Sequence, residues 1–194
     1  MATPQPSTPL HTGRKPSIMT DLAALEHRIA VLEAIEEIKQ LKATHIQLTD
    51  GGYPSGELTE LWTEDGTWEG IVTDVDERWP DNRGTGSFTG HAEIQEFWDL
   101  NGTIYDFVLH MMVAPTITVN DDLETASGKW HWLMPCTRKV AGRPQAAWLG
   151  GFQTDTYRKV DGVWKFQTVR VDLKLSATHE AGWTADRYLD DAPV

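Results

Sequence analysis

Four long runs of strand-forming residues fill the C-terminal half of the chain, over residues 105–119, 125–140, 145–160 and 163–175. They are separated by Asn120-Asp121-Asp122, Ala141-Gly142-Arg143 and Asp161-Gly162, residue types that tolerate the backbone of tight hairpins. Strands of this length joined by so few residues fold back on their sequence neighbours, so the second half is an antiparallel meander. The first half has a helical period instead. From Asp21 the residues Leu22, Leu25, Ile29, Leu32, Ile35, Ile38, Leu41, His45 and Leu48 recur at three- and four-residue steps. Thr20 or Asp21 caps the start, and Thr49-Asp50-Gly51-Gly52 ends the segment, as one helix or as two with a break near residues 31–34. Helices first and a sheet after them make an α+β fold, in which a curved antiparallel sheet wraps around N-terminal helices as a cone-shaped barrel with a blind pocket.

Between these parts the pattern predicts a short helix over residues 54–62, a turn at Thr63-Glu64-Asp65-Gly66 and a strand over 67–72. A polar, glycine-rich loop follows over residues 73–90, of the length that often covers a site, and then a helix over 91–102 burying Ile94, Phe97 and Trp98. Residues 1–19 carry four prolines and almost no large apolar side chain, so burial cannot offset the entropy of ordering them. The expected organisation is a flexible tail over 1–19, one domain over 20–178 and a C-terminal tail over 179–194.

The charge balance narrows the partners. A formal net charge of −12 would repel a phosphate backbone or an anionic membrane surface, so neither nucleic acid nor membrane is an expected partner. No apolar run approaches a membrane span. One cysteine, Cys136, permits no internal disulfide and no thiolate metal cluster, in keeping with a cytoplasmic location. Nine Trp point to a roomy aromatic interior or an oligomer surface.

Chemistry concentrates at Phe107-Val108-Leu109-His110-Met111-Met112-Val113. Period-two alternation puts Val108, His110 and Met112 on one face, so the imidazole has apolar neighbours on its own strand. A desolvated neutral His beside a carboxylate is a general base; a core His bonded to a carbonyl is the plainer reading. Asp50, the last side chain before the glycine turn, is the candidate carboxylate. On the second long strand Trp130, Trp132 and Met134 share the face that bulky aromatics would turn inward. On the last strand Trp164, Phe166, Thr168, Arg170 and Asp172 lie two residues apart, which carries Arg170 and Asp172 inward as a pair or as site residues.

These segments resemble the SnoaL-like branch of the nuclear transport factor 2-like superfamily over roughly residues 22–175. The resemblance is carried by Ile46-Gln47-Leu48-Thr49-Asp50, by Leu61-Trp62-Thr63-Glu64-Asp65-Gly66-Thr67-Trp68 and by Phe88-Thr89-Gly90-His91-Ala92-Glu93-Ile94. Leu109-His110-Met111 and the closing run from Gly150-Gly151-Phe152 to Trp164-Lys165-Phe166 complete it. Within the superfamily the chain looks most like lyases of the hexachlorocyclohexane dehydrochlorinase and scytalone dehydratase type.

The resemblance implies that His110 is the base, that Asp50 orients it and that Arg170 receives developing negative charge. His45 stands where the dehydrochlorinase pattern has a lysine, and Trp132 where the dehydratase pattern has a second histidine. His45, Tyr53, Trp68, Met112, Trp130, Trp132, Met134 and Asp172 are then the expected substrate contacts. A small, largely apolar cyclic substrate, no metal or organic cofactor, and a homodimer or homotrimer follow as expectations. The scaffold leaves alternatives open: epoxide hydrolysis by Asp50, Arg170 and Asp172, ketosteroid-type isomerisation with Tyr53 and Asp172 as acids, or a non-catalytic binding subunit like the small subunits of ring-hydroxylating dioxygenases.

Overall fold

The computed structural model describes residues 18–71, 86–184 and 187. The order of elements is α1 (Ile18–Asp50), α2 (Ser55–Thr59), β1 (Trp62–Ile71), β2 (Gly86–Thr89), α3 (Gly90–Ile104), β3 (Tyr105–Val108), β4 (Met111–Val119), β5 (Thr125–Val140), β6 (Arg143–Val160) and β7 (Val163–Thr178). Among the described residues the strands form one seven-stranded sheet in the order β2-β1-β7-β6-β5-β3, with β4 also on β5. The edge strands β2 and β3 do not meet, so the curved sheet is an open cone on which the helices pack. The expected α+β cone is therefore what forms, with one difference: β1 runs parallel to β7, while the remaining pairs are antiparallel.

Two hairpins close as their sequences predict. Val140 pairs with Arg143 across Ala141 and Gly142, and Val160 with Val163 across Asp161 and Gly162, all four loop residues at φ between 48° and 80°. At Gly151 the neighbouring backbone comes so close that an added Cβ would collide with the carbonyl oxygen of Asp172.

The first helix is continuous, without the break considered near residues 31–34, and begins at Ile18, inside the stretch expected to be tail. Gly52, at φ +107°, lets the chain turn away after Asp50. Its N-terminal half is not buried as the apolar stripe predicts: Leu22, Leu25, Ile29 and Leu32 are 46–65% exposed. Burial starts at Ala34 and continues through Ile38, Lys42, His45 and Thr49, because only this half lies over the sheet.

The expected turn at residues 63–66 is instead an irregularity inside β1, between the pairs Trp62↔Phe166 and Thr67↔Thr168. Residues 86–89, read as loop, add strand β2 beside β1. The rest of that predicted loop, residues 73–85, lies outside the described residues, as do residues 1–17 of the N-terminal tail. Of the expected C-terminal tail, the described part contacts the sheet: the His179 N–H donates to the Ala146 carbonyl at 2.9 Å, and the Trp148 indole donates to His179 Nδ1 at 3.2 Å.

Candidate functional site

β3 and β4 are one strand interrupted at Leu109 and His110. Val108↔Cys136 and Met111↔Leu133 keep the same register on β5 across the gap. Opposite the gap stands Pro135, which has no N–H to donate; its carbonyl accepts the Leu109 N–H at 3.1 Å. The next N–H, that of His110, turns to the end of α1, where the two Asp50 carboxylate oxygens accept it at 3.1 and 3.2 Å.

The same carboxylate engages the ring. His110 Nδ1 lies 2.6 Å from Asp50 Oδ1. A carboxylate only accepts, so Nδ1 carries the proton and Nε2 keeps its lone pair in the neutral ring. The Thr49 hydroxyl stands 3.4 Å from Nδ1 and also donates to the main chain of α1. Both partners are largely withdrawn from solvent, with side-chain exposures of 14% for His110 and 22% for Asp50.

His110 lines a cavity between the C-terminal half of α1, α3 and the inner face of the sheet. Of the sequence-predicted contacts, His45, Tyr53, Trp68, Trp132 and Met134 line it as well. Burial pushes the Tyr53 and Tyr105 hydroxyls well above the ordinary tyrosine range, so both stay protonated donors.

Four expected site residues are placed differently or used otherwise. Arg170 is half exposed and pairs with Glu69 at 3.5 Å on the outer face, and Asp172 pairs with Lys174 at 3.2 Å. The cause is a β-bulge: Tyr157↔Phe166 is followed by Thr156↔Thr168, so Gln167 is an extra residue on β7. Trp164 and Phe166 do face inward, but beyond Gln167 the inward set becomes Val169, Val171 and Leu173. The Asp50, Arg170 and Asp172 set is thus not assembled in one place. Trp130 faces inward but does not line the cavity; its indole donates to the Tyr157 hydroxyl at 3.1 Å. Met112 packs against the core beside the cavity rather than in its wall.

The structure also supplies wall residues that the sequence did not single out as contacts. Phe97, Trp98 and Asn101 come from α3, whose buried face was legible, and Tyr105 follows it directly. Gln153 comes from β6, where its period-two partners Asp155 and Tyr157 are also buried. Beneath it lies an ion pair with no sequence signal: Lys42 Nζ donates to Asp155 Oδ2 at 2.7 Å and to Gln153 Oε1 at 2.8 Å, with both charged side chains essentially unexposed. Burial lowers the Lys42 pKa, against the opposing pull of Asp155.

His45 sits at ring-centroid distances of 5.4–5.6 Å from Trp62, Trp98 and Phe166, and no described residue hydrogen-bonds either of its ring nitrogens. Burial first, then the charge of Lys42 and the nearby His110, hold its pKa well below the usual histidine range. Among the described residues no Lys or Arg lines the cavity. Among the described residues no group of three or more His, Cys, Asp or Glu could hold a metal ion.

A profile of the family described as SnoaL-like domain matches residues 30–170. The fold is similar to hexachlorocyclohexane dehydrochlorinase LinA-type3 from Novosphingobium barchaimii LL02, at 18% identity over 87% of this chain and 98% of that one, with a TM-score of 0.58. A candidate scytalone dehydratase from Novosphingobium aromaticivorans DSM 12444 is 19% identical over 76% of this chain and 89% of that one, with a TM-score of 0.61. An ntf2-like protein with a cystatin-like fold from Novosphingobium aromaticivorans is 25% identical over 90% and 97%, with a TM-score of 0.54.

Proposed function

Because the chain belongs to the SnoaL-like domain family, whose scaffold carries different chemistries in different members, we propose that it is a cofactor-independent lyase. The reaction is elimination of water or halide from a small, largely apolar ring. The observation that carries this reading is the 2.6 Å contact between Asp50 and His110, with His110 in the wall of an aromatic cavity. The structural neighbours include proteins named as a dehydrochlorinase and a candidate dehydratase, which favours elimination.

In this mechanism His110 Nε2 removes a proton from ring carbon. The C–H electron pair becomes the new double bond, and the hydroxyl or halide leaves with its own pair. Asp50 holds the Nδ1 proton and stabilises the imidazolium that forms. With Arg170 outside the cavity, the described wall offers the departing group neutral donors, among them the protonated Tyr53 and Tyr105.

Epoxide hydrolysis by Asp50, Arg170 and Asp172 loses its support, since the last two are paired elsewhere. Isomerisation shares the proton abstraction, but of its two expected acids only Tyr53 lines the cavity. The assembly is a homodimer or homotrimer, in which the exposed Phe107, Leu109, Met111, Val113 and Phe152 are covered by a second copy; stable purification of the chain alone as a homo-oligomer argues against a dependent dioxygenase-type subunit.

The test is a screen of hydroxylated and halogenated cyclic compounds. On any compound the wild type converts, His110→Ala and Asp50→Asn are each expected to lower kcat by about 10²- to 10⁴-fold. Rates within about twofold of wild type would overturn the assignment.

A further inference from the structure

His45 is 5% exposed and, among the described residues, finds no partner for either ring nitrogen, although it lines the cavity. A phenyl ring would fill the same aromatic nest without the cost, about 1–3 kcal/mol, of an unmade buried hydrogen bond. The neighbouring polar group is Gln153, and its orientation is fixed. Lys42, one helical turn before His45, donates to Gln153 Oε1, so the amide NH2 is the end left to donate, and no described residue accepts from it. Trp132 adds an indole N–H that is also unpartnered. It lies diagonal to Gln153 on the sheet, since Trp130 pairs with Gln153 and Trp132 with Gly151. Trp98, which also lines the cavity, and Trp62 and Trp164, which do not, leave their N–H groups unpaired too, so Trp132 alone would carry nothing; His45 and the pinned amide carry the argument.

We infer that His45, Gln153 and Trp132 form a charge-neutral site for one oxygen of the substrate, a carbonyl or hydroxyl on an otherwise apolar ring. This deepens the lyase reading and rests on it for the word substrate. The site lies five residues before Asp50 on α1, about 7.5 Å along the helix axis, which is the span of one substituted ring. Among the described residues the only cation beneath it is Lys42, already neutralised by Asp155, so an anionic substituent finds no counter-charge there and loses its hydration on entry.

Calorimetric titration with three probes tests this: 1-tetralone, the matching hydrocarbon tetralin, and 1-naphthoate. Wild type is expected to bind 1-tetralone about tenfold more tightly than tetralin, with 1-naphthoate weakest. His45→Phe and Gln153→Leu should each cut that preference to about twofold, while tetralin affinity, the control for a folded cavity, stays within about twofold of wild type. His45→Gln, which retains a donor and an acceptor, should restore most of the preference.

Equal binding of ketone and hydrocarbon, tightest binding of the naphthoate, or a preference that survives both substitutions would overturn the inference. So would a preference lost in His110→Ala but kept in His45→Phe, which would put the oxygen at the other end of the cavity. Turnover that survives in His110→Ala defeats the lyase reading and leaves these affinities, and the subsite, standing.

Discussion

Asp50 accepts from His110 twice, from the ring Nδ1 at 2.6 Å and from the main-chain N–H at 3.1 and 3.2 Å. The carboxylate thus fixes the backbone that carries the imidazole as well as the imidazole itself. Two unrelated sequence features make this possible. Gly51 and Gly52 end α1 with Asp50 as its last side chain, and Pro135 removes the β5 donor opposite the gap, leaving the strand interrupted at His110. A base oriented from both sides loses little freedom when substrate binds, which is the geometry that general-base catalysis needs.

Arg170 is the residue on which the sequence and the coordinates disagree most. It is half exposed and its partner Glu69 is partly exposed, so Arg170→Ala should leave kcat/KM within about twofold of wild type and stability within about 0.5 kcal/mol. Steady-state kinetics and urea unfolding of that variant check it; a loss of a hundredfold or more would return Arg170 to the chemistry.

The disagreement shows how far the sequence is readable. Hairpins at Ala141-Gly142 and Asp161-Gly162, the helix end at Asp50 and the inward Trp132 and Met134 all follow from turn chemistry and parity. Parity carries a strand only until the first bulge, and Gln167 has no composition that marks it as an extra residue; from Thr168 to Leu173 the faces are the reverse of those that parity predicts. Lys42 and Asp155 were opaque for another reason. Each reads as a solvent residue, and only the register of β6 against α1 brings the charges together. Leu22, Leu25, Ile29 and Leu32 err in the opposite sense, since an apolar stripe does not state where the sheet beneath it ends.

The buried pair should be strongly coupled. Lys42→Met leaves Asp155 buried with one oxygen already unpartnered, and is expected to cost about 3–5 kcal/mol in urea unfolding. Asp155→Asn keeps an acceptor for the Tyr157 hydroxyl, now 2.8 Å away, while removing the charge. The double variant Lys42→Met/Asp155→Asn should therefore recover about 2 kcal/mol or more, read as the interaction energy of a double-mutant cycle. Additive losses would contradict the pairing.

His45 should make the fold acid-sensitive. Its folded pKa lies below the ordinary value of 6.5, so the unfolded chain takes up a proton that the folded one refuses. The stabilisation is fully present above the unfolded pKa and is lost as pH falls through the window down to the folded pKa, at up to about 1.4 kcal/mol per pH unit. Thermal or urea unfolding from pH 7 downward should show a shallower acid limb for His45→Phe than for wild type. Parallel limbs would show that the ring charges freely in the folded state.

The most direct test of the Asp50 and His110 relationship is the tautomer of His110, read from the imidazole nitrogen shifts in a ¹H–¹⁵N correlation spectrum of the neutral ring, assigned by comparison with His110→Ala. A proton on Nδ1 and a bare Nε2, with the Nδ1 proton signal lost in Asp50→Ala, is the predicted result. A proton residing on Nε2, or a spectrum indifferent to Asp50→Ala, would contradict the assignment of His110 as an oriented base.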